Sequence, residues 1–206
     1  SNYANTYTIC IGMSERTPPE TIDALLPLFF AEGFTCIYAI DLPKKRSVMH
    51  LDTIFNRIST DEVIIFAPIF NKSDQINIYR ITSGQKLKEG IEIKNNLLEI
   101  LANDGILLHP INCGGEDKLD QIREQWTDGA NFFAIKPGVI IGYDRNLYTI
   151  EALEFSGYKH VRSIDFLNNP KKYNDDTKLI ISIPSSELSR GRGGTRCLTL
   201  PIQRGA

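Results

Sequence analysis

Cysteine is scarce in this chain of 206 residues: Cys10, Cys36, Cys113 and Cys197 are the whole set, and none sits in a Cys-x-x-Cys pair. That is too few for a disulfide scaffold of this length. The three histidines have no His-x-x-x-His spacing, which disfavours a zinc site. No apolar run approaches the ~20 residues of a membrane helix. Charge of one sign is missing too, since 23 Lys and Arg stand against 25 Asp and Glu for a formal net charge of −2. Such a balance argues against a dedicated nucleic-acid or anionic-membrane binder. No basic segment followed by an apolar one opens the chain, so no signal peptide is read. These absences favour a small-molecule partner and a cytoplasmic location.

What is present is an α/β alternation. The run Thr6 to Gly12 reads as a strand, rich in β-branched and aromatic residues. Thr17-Pro18-Pro19-Glu20 reads as a helix start, with Thr17 as cap and proline in the first turn. Ile22, Leu25, Leu26, Phe29 and Phe30 follow at helical spacing. Gly33 stops that helix, and Cys36 to Ile40 resumes a strand. The same order recurs with a helix at Leu97 to Leu101, Gly105 and a strand at Ile106 to Ile111. It recurs again with Ile140 to Gly142, a helix near Ile150 to Phe155, Gly157 and a strand from Lys159 to Ile164. Repetition of this kind predicts a modular array. Between the first two units, Asp52 to Ile58, Glu62 to Phe66 and Ile76 to Ile81 read as strands of a meander, and 168–176 reads as a polar surface loop.

Cys197 is the strongest nucleophile candidate. It follows Gly191-Arg192-Gly193-Gly194, with Arg192 and Arg196 close in sequence, and positive charge with loop amides would lower its pKa. The competing reading is a buried cysteine that begins the strand Leu198 to Leu200. His50 and Asp52 form a His-x-Asp pair; on a strand, residues two apart share a face, so an imidazole would stand beside a carboxylate. An ordinary polar strand face explains that pair equally well. His109 and His160 read as structural. The glycine-rich stretch lacks a phosphate-loop pattern and lacks the aromatic interleaving of an RNA-binding segment.

Four longer motifs appear in order: Leu42 to Thr53, Asn112-Cys113-Gly114-Gly115, Arg123 to Asn131, and Ser186 to Cys197. Together they resemble the bacterial-type arginine deiminase family, of the guanidino-group-modifying enzymes, over essentially the whole chain. The resemblance implies an α/β-propeller of repeated modules and the hydrolysis of L-arginine to L-citrulline and ammonia without metal or organic cofactor. It makes Cys197 the nucleophile, His50 the general acid/base and Asp52 a catalytic carboxylate that grips the guanidinium. It makes Arg16 the partner of the substrate carboxylate, and Gly191 with Arg192 part of a loop lining the amino-acid end.

Two departures from the family pattern stand out. A Glu-Gly-Gly-Asp segment and the acidic pair it belongs to are absent, and so is a helical insertion. Residues 1–206 are therefore expected to be the C-terminal part of a catalytic propeller, inactive alone. A non-catalytic module that forms a homo-oligomer or pairs with a missing N-terminal half is the alternative of a different class. An amidinotransferase or dimethylarginine hydrolase is disfavoured, because the ending Arg192 to Cys197 fits the deiminase better.

Overall fold

The computed structural model describes residues 2–5, 7–70, 76–93, 96–173, 176–200 and 202, with side chains from residue 7 onward. Along the chain run β1 (Asn2–Asn5), β2 (Thr8–Met13), α1 (Pro19–Ala31), β3 (Cys36–Asp41), β4 (Phe55–Arg57), β5 (Glu62–Ile65) and α2 (Ala67–Phe70). Then come β6 (Asn77–Thr82), β7 (Ile91–Ile93), α3 (Leu97–Asn103), β8 (His109–Asn112), α4 (Lys118–Trp126) and β9 (Phe133–Lys136). The last are β10 (Val139–Tyr143), α5 (Leu147–Phe155), β11 (Lys159–Arg162), α6 (Ser163–Asn168) and β12 (Leu179–Ile183). The class is α/β. The chain divides into two compact units, 1–51 with 68–108, and 52–67 with 109–206.

The first unit is built on one sheet in the order β1-β2-β3-β6-β7. Strands β2 and β3 are parallel and joined through α1, whereas β6 and β7 run antiparallel to their neighbours. Cys36 to Ile40 is buried at every position, as a strand covered on both faces requires. The register sets Ile9 opposite Ile37 and Ile11 opposite Ala39. Ile22 and Leu26, one helical turn apart on α1, pack in that same core. Burying each such side chain stabilises the fold by about 1.5–3 kcal/mol. Thr17 does not cap α1. Its backbone closes a two-bond turn with Ser14, and Pro18 occupies the cap position without a side-chain bond. Gly33, at φ +90°, lets the chain turn back toward β3.

The second unit holds two sheets, β4-β5-β8 and β11-β12-β10-β9. Parallel pairs join β5 to β8, and both β10 and β11 to β12. Ile64, Ile111, Ile140 and Ile180 from these strands share a core with Ile150 and Leu153 of α5. Gly142 is pressed against Phe132 so closely that a Cβ would lie 2.0 Å from a ring carbon. Among the described residues no sheet closes into a barrel, and no helix is long and apolar enough to cross a membrane.

Several boundaries differ from the sequence reading. Ile106 to Leu108 is not strand, because the Ile106 amide bonds back to Leu101 at the end of α3 and ladder pairing starts only at His109. The strand from Lys159 stops at Arg162, and Ile164 belongs to α6. The meander fails as well: β4 and β5 pair, but the third run is β6, hydrogen-bonded to β3 in the other unit. Thr6, Asn174 and Asp175 lie outside the described residues.

Candidate functional site

In the second unit, α4 starts at Asp117, whose carboxylate accepts the amides of Leu119 and Asp120 at 2.8 and 3.1 Å. The helix ends at Trp126, and a tight turn follows. Asp128 takes φ +64°, and Gly129 donates its amide to Glu124 O at 2.7 Å. A Cβ on Gly129 would lie 2.8 Å from that oxygen and 2.9 Å from Cys113 Sγ, so only glycine fits. The turn delivers Asn131, 1% exposed, as a buried junction. Its Nδ2 donates to Asp52 O at 3.2 Å, and its Oδ1 accepts the Cys197 amide at 3.1 Å. One side chain thus ties the 3-10 turn Leu51–Thr53 to the cysteine loop.

That loop is docked residue by residue. Leu188–Gly191 form a 3-10 turn, and Arg192 (φ +62°) and Gly193 (φ +131°) reverse the chain. Tyr143 Oη donates to Gly193 O at 2.8 Å, and Thr195 Oγ1 donates to Ile141 O at 2.6 Å while accepting the Phe133 amide at 3.1 Å. Cys197 follows in a turn with its residue exposed, whereas Cys10, Cys36 and Cys113 are buried. The reading of Cys197 as a buried strand-opening residue therefore fails: Leu198 to Leu200 forms no strand.

The charges differ from what the sequence suggests. Arg192 and Arg196 are turned onto carboxylates rather than left facing the thiol. Arg196 Nε is 3.1 Å from Asp52 Oδ2. The Arg192 guanidinium lies over the Trp126 ring at 4.7 Å, donates to Trp126 O, and reaches Asp128 Oδ1 at 4.0 Å. The Cys197 thiol is consequently pushed up, to about 11. Desolvation is the largest cause and the Asp52 charge the next; Gly194 and Asn131 hydrogen bonds oppose them, and Asp128 adds a smaller rise. Burial also pushes the Asp128 carboxyl up, against the pull of Arg192 and the Gly193 amide.

Two oxygens stand out. Asp52 Oδ1 and Asp128 Oδ1 are buried and accept no hydrogen bond among the described residues. Buried carboxylate oxygens without donors are costly, and groups of this kind call for a ligand or a functional reason. A cysteine loop tied to carboxylates with such open oxygens suits a planar cation with N–H edges.

The other sequence candidates fall as follows. Asp52, Arg192 and Cys197 come together in the second unit. Gly191 is exposed at the end of its turn, with nothing within 4 Å of where a Cβ would stand. Arg16 and His50 belong to the first unit. Arg16 is exposed after β2 and donates its amide to Ser14 Oγ at 3.2 Å. His50 is half-buried in a bend, and the residues after it form a 3-10 turn, so the strand geometry expected for His50-x-Asp52 is absent. Sequence reasoning passed over Asp128, Asn131, Trp126 and Tyr143. The Asp128-Gly129 dipeptide just after a helical run was the available signal, since it marks a left-handed turn.

Comparison with known proteins places these elements in context. A family model described as arginine deiminase matches residues 3–204. Proteins named arginine deiminase from Mycoplasma capricolum, Listeria welshimeri and Lactococcus lactis are 37%, 36% and 36% identical, each over 97% of this chain. The chain spans about 45% of the length of each of these relatives.

Proposed function

The chain belongs to the arginine deiminase family, and from that premise we propose that it supplies the nucleophile half of an enzyme hydrolysing L-arginine to L-citrulline and ammonia. The observation that carries this reading is the Cys197 loop tied to Asp52 through Asn131 and Arg196, with a buried Asp52 Oδ1 that accepts no hydrogen bond among the described residues. A guanidinium would supply the missing N–H donors. Its positive charge would also offset the carboxylate field that keeps the thiol protonated, so substrate binding and thiolate formation would be coupled.

In this reading Arg16 pairs with the substrate carboxylate, Gly191 and Arg192 line the amino-acid end, and Asp52 fixes the guanidinium plane. The Cys197 thiolate attacks the guanidinium carbon to give a tetrahedral adduct. His50 as imidazolium protonates the leaving nitrogen, and ammonia departs to leave a thiouronium ester. His50 as base then takes a proton from water, which adds to the same carbon and expels the thiolate with citrulline. The balance is arginine plus water to citrulline plus ammonia, with no metal or organic cofactor in any step. The parallel strand-helix-strand runs within each of the two units of this chain support an α/β-propeller arrangement for the complete enzyme, working as a cytoplasmic hydrolase. Residues 1–206 alone, without a Glu-Gly-Gly-Asp segment, turn over little or no arginine.

The test is made on the full-length protein. Arginine should yield citrulline and ammonia in equal amounts, and acid quenching should trap an adduct on Cys197 with the mass of arginine less ammonia. Cys197→Ser should abolish both, and His50→Ala should remove nearly all turnover. Citrulline formation that survives Cys197→Ser would end the covalent route.

A further inference from the structure

Asp128 stands where an aspartate is unfavourable on three counts. Its backbone lies in the left-handed region, which aspartate adopts more readily than most side chains but less readily than glycine. The residue is 3% exposed, so ionisation of its carboxyl is opposed by desolvation. It also sits two residues beyond the last residue of α4, at the helix end where negative charge is disfavoured. Glycine would remove all three penalties. Something must offset them, and the contacts show what does.

Asp128 Oδ2 accepts the Gly193 amide at 3.2 Å, and Oδ1 faces the Arg192 guanidinium at 4.0 Å. Both are buried, with 4% of the Arg192 side chain and 1% of the Asp128 side chain exposed. Arg192 is the other non-glycine residue at positive φ among the described residues. The two strained positions therefore hold each other. Trp126 completes the cradle from the same helix end, through its ring and its carbonyl oxygen. Downstream, Asn131 and Tyr143 hold the rest of the loop, so Asp128 fixes its upstream end.

We infer that Asp128 is a positioning residue for the nucleophile loop, binding Arg192 and the Gly193 amide with one carboxylate and so setting where Cys197 lies. Its importance for turnover rests on the function proposed above, but its effect on the thiol does not. The ionised groups whose charge acts on the Cys197 thiol are the Asp52 and Asp128 carboxylates, and Cys197 in turn raises the Tyr143 phenol. Arg196 lies beside it in the chain, paired to Asp52, and Arg192 is paired to Asp128.

Asp128→Asn in the full-length protein isolates the charge. Asparagine tolerates the left-handed backbone and keeps an acceptor for the Gly193 amide. The readout is iodoacetamide alkylation of the Cys197 peptide across pH, with thermal melting and arginine turnover measured beside it. Loss of the anion and release of the Arg192 cation act in the same direction on the thiol. Alkylation at pH 8 should therefore quicken by about tenfold, while kcat falls by a similar factor. In an Arg192→Gln background the loss of kcat on adding Asp128→Asn should largely vanish, because the loop contact is already broken, whereas the unneutralised carboxylate keeps its effect on the thiol. Asp128→Gly, which relieves the backbone strain, should reproduce the loss of kcat without loss of melting temperature. An unshifted alkylation profile in both Asp128 variants overturns the inference, whatever their stability. If the wild type makes no citrulline, the proposed reaction fails, and the alkylation arm still decides the role of Asp128.

Discussion

Arg196 holds the Asp52 carboxylate, with Nε 3.1 Å from Oδ2. The chain's own guanidinium thus occupies one oxygen of the group proposed to hold the substrate's guanidinium, while Oδ1 is left without a donor. Substrate must share or displace this pair. Both side chains are about a fifth to a quarter exposed, and partly solvated pairs contribute up to about 1 kcal/mol. Arg196→Gln should therefore lower the KM for arginine by up to roughly fivefold, with kcat changed less. Steady-state kinetics on the full-length variant checks this, and a raised KM would show that Arg196 helps to hold substrate instead.

The thiol carries a pH signature with a definite sign. Desolvation and the Asp52 charge both favour the neutral thiol and push it up to about 11. Alkylation of free enzyme should therefore climb with pH well past 9. Removing the neighbouring negative charge favours thiolate, so Asp52→Asn should move the profile to lower pH while abolishing citrulline formation. A guanidinium-bearing ligand that is not turned over should move the wild-type profile the same way. Stopped-flow alkylation with and without such a ligand measures both shifts. A profile that Asp52→Asn leaves in place would remove the coupling between thiol and carboxylate.

The strands buried on both faces were legible in the sequence because their signal is local. Cys36 to Ile40 and Ile140 to Gly142 are apolar runs bounded by turn residues, and they fold as β3 and β10. The helix at Leu97 and the breaks at Gly33, Gly105 and Gly157 were readable for the same reason, all three glycines taking positive φ. The pairing was not legible. Residues 76–81 look like a neighbour of the 62–66 run, yet hydrogen-bond across to β3, about 40 residues away in sequence. The electrostatics of Cys197 were misread for a related reason. Arg192 and Arg196 lie five and one residues before the thiol in sequence, but the fold brings Asp128 and Asp52 to them from 64 and 144 residues away. Proximity along the chain says nothing about which charge is already neutralised.

Glu124 links α4 to α5 in the second unit. Its Oε1 accepts the Tyr148 amide at 2.9 Å, and its Oε2 accepts the amide and hydroxyl of Thr149, each at 2.7 Å. A carboxylate from one helix thereby satisfies the open amides at the start of the next. Glu124→Gln keeps the size but turns one acceptor into a donor aimed at donors. Leaving a buried amide unpaired costs about 1–3 kcal/mol, so the melting temperature should fall by several degrees. Calorimetry on the full-length variant reads this directly, and an unchanged melting temperature would mean that other acceptors replace the carboxylate.

Gly194 is the tightest point of the cysteine loop. A Cβ there would lie 2.6 Å from both Cβ and Oδ1 of Asn131 and 2.7 Å from its backbone oxygen. Distances this short force movement, and the backbone oxygen has nowhere to go because it already accepts the Arg196 amide at 3.3 Å. Displacing Asn131 would release the Cys197 amide and the Asp52 carbonyl together. Gly194→Ala should therefore cost about 1–3 kcal/mol in stability, with a loss of turnover larger than that destabilisation explains. Asn131→Ala removes only the Oδ1 contact, because the Cβ and backbone oxygen of residue 131 stay 2.6 and 2.7 Å from the new methyl. The double variant should therefore recover little of the stability lost in Gly194→Ala and none of the activity, since residue 131 no longer seats the cysteine. Melting curves and citrulline assays on the two single variants and the double variant separate steric strain from loss of the junction. Full activity in Gly194→Ala would show that the loop adopts another conformation during turnover.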